Sequence, residues 1–234
     1  MLSLVGVPLG NIEDISIRQL KALLSSDCIL AEDTRNFLKI RSVLKDKLPE
    51  ILKTLNLTTE NRPQLISYRE QNHERVIKEI IELLRQEKSI IYISDAGMPS
   101  ISDPGYKLVS EIVELGYEID VIPGATAVDT ALVISGLPTD RFTFLGFLPR
   151  TPSKFIKQIN IFIDTESTLI FYESPFRLIK ALELIDKNYP EANVVICNDL
   201  TKKFQKVVRG KAKEILDEIK DKAIKGEWVV LLRK

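Results

Sequence analysis

One histidine and two cysteines in 234 residues remove whole classes of chemistry from this chain. His73 has no second histidine and no paired cysteine with which to complete a metal site, so it is expected on the surface or facing a substrate at most. Cys28 and Cys197 are far apart, each inside an apolar run, and read as buried thiols of a reducing compartment rather than as a disulfide framework. An excess of either charge is missing too: Lys plus Arg and Asp plus Glu both total 33. A protein coated in basic residues for nucleic acid is therefore disfavoured, although a local basic face is not. No apolar run reaches membrane-spanning length, and Met1 to Gly10 lacks the basic flank of a secretion signal. A soluble, cytoplasmic protein is the expectation. Its 44% hydrophobic content suffices for one large domain or two small ones.

What is present is an alternation of short β-branched runs with amphipathic segments, which predicts an α/β fold on a mostly parallel sheet. Strands are expected at Leu2 to Val7, Cys28 to Ala31, Leu65 to Tyr68, Ile90 to Ile93 and Ile119 to Ile122. Ile12, Ile15, Leu20, Leu23 and Leu24 mark a first helix with Asp14 or Ser16 as its cap, and Val76 to Leu84 marks another. Residues 36 to 64 read as helical through Leu44, then as an extended or mobile excursion around Asn56 to Pro63. Beyond Leu137 come an aromatic strand over Phe142 to Phe147, a break at Pro149 to Ser153, and strands at Thr168 to Tyr172, Val194 to Cys197 and Trp228 to Leu232. A domain boundary near Pro123 to Pro138, written as 1–122 and 123–234, follows from this change of pattern.

The chemistry is expected at strand ends. Ser94 to Gly105 reads S-D-A-G-M-P-S-I-S-D-P-G, a polar loop between a buried strand and a helix capped by Asp103 with Pro104 in its first position. Twelve residues exceed an ordinary strand-to-helix connection of about two to six, and loops at the carboxyl ends of parallel strands are where such sheets bind ligands. Asp95, Ser94 and Ser102 supply polar groups beside glycines that let a ligand approach the backbone. Pro123 to Ala127 makes a second turn of this kind after the next strand. Glu32-Asp33-Thr34-Arg35 sets two carboxylates and a guanidinium at another strand end, a pattern that suits a charged site or a helix cap with a surface ion pair. In the second half, Tyr172 to Arg177 forms one charged cluster. Thr201 to Lys213 forms another, with Lys202, Lys203, Lys206, Arg209, Lys211 and Lys213 and no acid, and fits a solvated face or a phosphate-binding surface equally well.

Read in order, V-G-V-P-L-G-N-I-E-D-I, A-E-D-T-R at Ala31 to Arg35, the Ser94 to Gly105 loop, Pro123-Gly124, G-L-P with D-R-F at Gly136 to Phe142, G-F-L-P at Gly146 to Pro149, F-Y-E-S-P at Phe171 to Pro175, L-T-K at Leu200 to Lys202 and Gly226-Glu227 resemble the tetrapyrrole (corrin/porphyrin) methylase superfamily. Within it they are most similar to the ribosomal RNA small subunit methyltransferase I family, and the match runs over nearly the whole chain. The resemblance implies two α/β domains with a cofactor cleft between them, the class III methyltransferase arrangement. It also implies a homodimer, S-adenosylmethionine as cofactor, and 2'-O-methylation of a cytidine in the decoding region of 16S ribosomal RNA within the 30S subunit. By position it assigns cofactor contacts to Pro8, Asp95, Ala96, Gly97, Ile101, Ser102, Thr126, Ala127, Tyr172, Leu200 and Gly226. Glu32, Asp33, Arg35, Glu173 and Lys202 become the catalytic candidates, and Arg177, Lys203, Lys206 and Arg209 the RNA-binding ones. No metal is implied. The chain departs from the family pattern at Gly6-Val7, where a hydroxyl is usual, at Arg69, Gln71 and Phe176, where histidines are common, and at Asn198-Asp199. A small-molecule tetrapyrrole methylase and a non-catalytic RNA- or cofactor-binding relative stay open as alternatives.

Overall fold

Successive residues of the apolar runs point to opposite sides of a sheet, and in the first half both sides are covered by helices. The computed structural model describes residues 1–220 and 222–234, which divide into two units, Met1–Ala125 and Thr126–Lys234. In the first unit β1 (Leu2–Val5), β2 (Cys28–Ala31), β3 (Gln64–Ser67), β4 (Ile90–Ile93) and β5 (Ile119–Ile122) form an all-parallel sheet in the order β3-β2-β4-β1-β5. One face carries Leu2, Leu30, Tyr92 and Ile66 under α4 (His73–Arg85) and α5 (Tyr106–Glu114), which contribute Val76, Ile80, Leu108 and Ile112. The other carries Val5, Ile29, Ile91 and Ile93 against Leu23 of α1 (Ile17–Ser25) and Phe37 of α2 (Thr34–Lys47). Burial on both faces explains why the inner strands β1, β2 and β4 are the most apolar, whereas the edge strands β3 and β5 carry the polar residues Gln64, Ser67 and Asp120.

Register sets the working edge. Leu4 pairs with Tyr92, Ala31 with both Ile93 and Ser67, and Val5 with Ile122. All five strands therefore end at one level, and the loops after them leave the same edge. Three of those loops are tied together. Val7 and Gly97 exchange backbone hydrogen bonds of 2.8 and 3.0 Å. The buried Gln19 amide donates to the carbonyls of Gly6 at 2.7 Å and Pro123 at 3.3 Å. Its own oxygen accepts from the backbone of Ser16, which caps α1 in return. Gly6 and Gly124 approach so closely that a methyl on Gly124 would lie 2.8 Å from the Gly6 Cα and 2.7 Å from the Gln19 nitrogen.

The second unit is a mixed sheet of β6 (Phe142–Phe147), β7 (Thr168–Glu173), β8 (Asn193–Asn198), β9 (Lys206–Gly210) and β10 (Trp228–Arg233), ordered β6-β7-β10-β8-β9. β6 and β7 are parallel and the remaining neighbours antiparallel. Leu169, Phe171, Val194, Ile196, Val230 and Leu232 pack against α7 (Pro152–Asn160), α8 (Leu178–Asn188) and α9 (Ala212–Ile219). Ile170, Val195, Cys197, Val229 and Leu231 pack against α6 (Ala127–Ser135). The two cysteines are free and buried, in β2 and β8, and burial pushes their thiols up to about 12 and about 11.

Several expectations change in the structure. α5 begins at Tyr106 with Gly105 as its cap, not at Pro104 after Asp103. Gly105 has a φ of 144°, and a side chain there would strike Ser100 and Tyr92. Between Leu44 and the stretch over 56–63, which has neither helix nor strand as expected, lies a further helix, α3 (Pro49–Thr54), started by Pro49 and held by Leu52 in a cluster with Leu20, Leu24 and Leu44. His73 is largely covered rather than surface or substrate-facing. Its Nδ1 shares a hydrogen bond with the Tyr68 hydroxyl at 3.0 Å and its Nε2 meets Glu111 at 2.7 Å.

Gly124→Ala is expected to cost about 3 kcal/mol, the upper end for overpacking a closed site. Gly116→Ala, with open space around its Cβ but a φ of 78°, should cost about 1 kcal/mol from backbone strain alone. Urea midpoints for the two variants check this, and equal losses would show that the three loops are not tied.

Candidate functional site

At the edge of the first unit the long loop is shaped from within. The Ser94 hydroxyl, buried at the end of β4, donates to the carbonyls of Ala96 and Gly97 at 3.2 and 3.1 Å. That turn leaves Asp95 exposed beside the Val7 to Gly97 bridge, with Pro8 half-buried next to it. Ser100 and Ser102 adopt φ of 68° and 62°, unusual for residues with side chains and frequent where a loop serves a ligand. Ile101 and Ser102 between and beside them are exposed.

An acid corner lies alongside. Tyr92 donates its hydroxyl to the Pro104 carbonyl, drawing the Ser-Asp-Pro-Gly turn over the sheet and Asp103 into a half-buried position. Burial, and then the neighbouring carboxylates of Glu32 and Asp95, raise Asp103 to about 6. A pocket of about 470 Å³ opens there, lined by Glu32, Arg69, Glu70, Gln71, Asn72 and Pro104. Asn72 fixes its wall, accepting from the Arg69 backbone at 2.8 Å and donating to the Ser67 carbonyl at 2.9 Å. Of the charged quartet, Glu32 faces this pocket while Asp33 is committed elsewhere. The Asp33 carboxylate caps α2 through the Arg35 backbone and pairs with the exposed Arg35 guanidinium at 2.5 Å, which holds its carboxyl down at about 2. The helix-cap reading of Asp33 and Arg35 is thus realised beside a carboxylate that faces a cavity.

The second unit also gathers its motifs at one edge. Phe147 pairs with Tyr172, Glu173 with Trp228, Trp228 with Asn198, and Asn198 with Lys206. The loops carrying Arg150, Arg177, Lys202 and Gly226 therefore leave neighbouring strand ends. Glu173 is 1% exposed and its carboxyl is raised by burial, with the Ser174 backbone N–H and Arg177 opposing. Its Oε1 accepts from Ser174 at 2.8 Å and pairs with Arg177 at 3.1 Å, and Arg177 donates onward to the Leu148 carbonyl at 2.7 Å. Lys202 bridges Asp199 at 3.1 Å and Glu227 at 2.8 Å. Asp199 and Thr201 take φ of 46° and 65°, and the Asp199 carboxylate lies where any Gly226 side chain would stand. Tyr172 packs edge-on against Phe144 and Phe147, and Leu200 is buried. Thr126 caps α6 through Asp129, with Ala127 as its first residue.

The model of the tetrapyrrole (corrin/porphyrin) methylases matches residues 1–216. The ribosomal RNA small subunit methyltransferase I of Thermotoga maritima is 39% identical over 233 residues, covering 99% of this chain and 97% of that protein. The chain belongs to this family. Its fold is shared by a cobalt precorrin-4 methyltransferase of cobalamin biosynthesis, with a TM-score of 0.69 at 17% identity over 99% of this chain and 94% of that one. A uroporphyrin-III C-methyltransferase from Thermus thermophilus complexed with S-adenosylhomocysteine gives 0.64 at 13% identity, over 98% and 96%. Against the family pattern, the first unit brings Pro8, Asp95 to Gly97, Ile101, Ser102 and Glu32 to one edge, and the second brings Tyr172, Glu173, Arg177, Leu200, Lys202 and Gly226 to another. The basic stretch does not act as one cluster. Its middle is the edge strand β9, where Arg209 reaches the carbonyls of Ile134 and Ser135 while Lys203 and Lys206 stay exposed. Methylase membership does not flag Asp103. Its signal is only the one acid of Ser-Asp-Pro-Gly, which reads locally as a helix cap.

Because the folded pKa of Asp103 lies above the ordinary 3.8, the folded chain holds an extra proton between those values and loses stability as pH rises through them. Asp103→Asn should therefore stabilise the protein at pH 7 by on the order of 2 kcal/mol, a gain that vanishes below about pH 4. Denaturant unfolding at both pH values tests this, and a gain of equal size at each would remove the carboxyl as its source.

Proposed function

We propose that this chain transfers a methyl group from S-adenosylmethionine to the 2'-hydroxyl of a cytidine in the 16S ribosomal RNA of the 30S subunit, working as a homodimer. Near-full-length similarity to ribosomal RNA small subunit methyltransferase I supports the substrate class, and the acid corner beside the pocket is the observation that carries the chemistry. The first unit fits the cofactor. Asp95 offers an exposed carboxylate for a cationic ligand, Ile101 an exposed apolar surface, and Gly97 a backbone with no side chain in the way. Thr126, Ala127, Tyr172, Leu200 and Gly226 are the contacts proposed from the second unit. When bound, S-adenosylmethionine supplies a methyl group activated by a sulfonium, so the protein's task is alignment and exclusion of water.

A ribose hydroxyl is a poor nucleophile, and its proton must go to a positioned base. Glu32 takes that role in this reading because it lines the pocket, and the nearby carboxyl of Asp103, held close to neutrality, is the next proton acceptor. Arg69 at the pocket wall meets the phosphate of the acceptor nucleotide. Asp33 and Glu173 act as positioning residues that hold Arg35 and Arg177, and Lys202 braces the turn bearing Leu200 and Gly226.

Labelled S-adenosylmethionine and unmethylated 30S subunits, with product nucleosides separated, are expected to yield 2'-O-methylcytidine. Label in another nucleoside, or none, overturns the reading. Glu32→Gln should slow turnover by about 10²- to 10⁴-fold with cofactor affinity unchanged, whereas Asp95→Ala should weaken cofactor binding by roughly ten- to a hundredfold. A Glu32→Gln enzyme working at full rate would put the base elsewhere.

A further inference from the structure

Three aromatic rings at the edge of the second unit stand in water. Phe176 is 96% exposed, Phe204 73% and Phe147 58%. Apolar side chains exposed singly are ordinary, but these belong to loops that leave one sheet edge, after β7, after β8 and at the end of β6. The first two loops are braced. The Phe176 turn is closed by the Arg177 and Leu178 N–H groups on the Ser174 carbonyl at 3.0 and 3.1 Å, and by Arg177 strapped to buried Glu173 and to Leu148. The Phe204 turn is closed by Lys202 N–H to Asp199, Gln205 N–H to Lys202, and Thr201 N–H to the Gln205 side chain at 2.7 Å. Rings presented on rigid turns lose little freedom when something flat lies on them.

The charge around them has one sign to spare. Glu173 is consumed by Arg177, and Asp199 and Glu227 by Lys202. Arg150, Lys203 and Lys206 are exposed, Lys203 lying over the Phe204 ring at 5.6 Å. β7 and β8 are separated by β10 alone, so the two turns are rooted about 10 Å apart, far enough for each ring to hold its own base. Aromatic faces interleaved with free cations are what a single-stranded nucleic acid recognises: bases stack on the rings and phosphates meet the cations. Resting on the reading of an RNA substrate, we propose that Phe176 and Phe204, with Phe147 beside them, form a stacking platform for unpaired bases of that RNA. The RNA is then taken as a locally single strand rather than as a duplex.

The test uses the full chain and single-stranded RNA oligonucleotides of the small-subunit sequence carrying 2-aminopurine, alongside the same oligonucleotides annealed to complements. Wild-type protein should quench the 2-aminopurine and prefer the single strand. Phe176→Leu and Phe204→Leu keep apolar volume but lose the flat face. Each should weaken single-strand binding by about five- to a hundredfold and lose the quench, with the slope against salt unchanged because the phosphate contacts remain. Phe176→Trp should restore both. Leucine variants that bind like wild type while 30S methylation proceeds overturn the platform and leave the proposed reaction standing. A wild type that binds no RNA and methylates no 30S overturns both. Leucine variants that shift sedimentation but not RNA affinity would make the rings a protein contact instead.

Discussion

A single buried amide governs the first unit's working edge. Gln19 reaches from α1 to the carbonyls of Gly6 and Pro123, the residues that follow β1 and β5, while Gly97 from the loop after β4 pairs with Val7. Two glycines in contact allow that closeness, since a side chain on either would part the loops. Asp95, Ile101 and Ser102 are displayed by a loop that would otherwise be long and loose. A binding loop is more useful when its conformation is fixed before the ligand arrives, and here the fixing groups lie behind the display rather than in it.

The second unit solves a similar problem with ions instead of glycines. Glu173 is almost wholly buried and keeps one oxygen without a partner among the described residues, an expensive arrangement unless its charge is used. It is used to hold Arg177, which in turn holds Leu148, so two loops from adjacent parallel strands share one strut. Lys202 does the same for the turns after β8 and before β10. In both cases a charged side chain ties neighbouring turns together.

Much of this was legible in the sequence. The strand at Ile90 to Ile93 and the twelve residues after it were found where apolar run length and turn chemistry put them, and the α/β class followed from the alternation. The family pattern marked the same loops. What stayed hidden depends on contacts made at a distance. Asp103 and Pro104 carry a local cap signal, yet the Tyr92 hydroxyl and the φ of Gly105 delay the helix and turn the acid toward Glu32 and Asp95. β9 was masked because Lys206 and Arg209 flank two valines, a pattern that suits a charged sheet edge and discourages pairing with other chains. α3 has little periodicity of its own and depends on Leu52 finding a cluster built by α1 and α2.

Both native thiols sit deep in β2 and β8, and burial holds them at about 12 and about 11. At neutral pH roughly one in 10⁴ or fewer is a thiolate, and neither residue has any exposed surface. The chain is in effect blank toward alkylating reagents. A cysteine introduced on the exposed turns of either edge would be the one reactive sulfur, so dyes or spin labels could be placed there without first removing the natural pair.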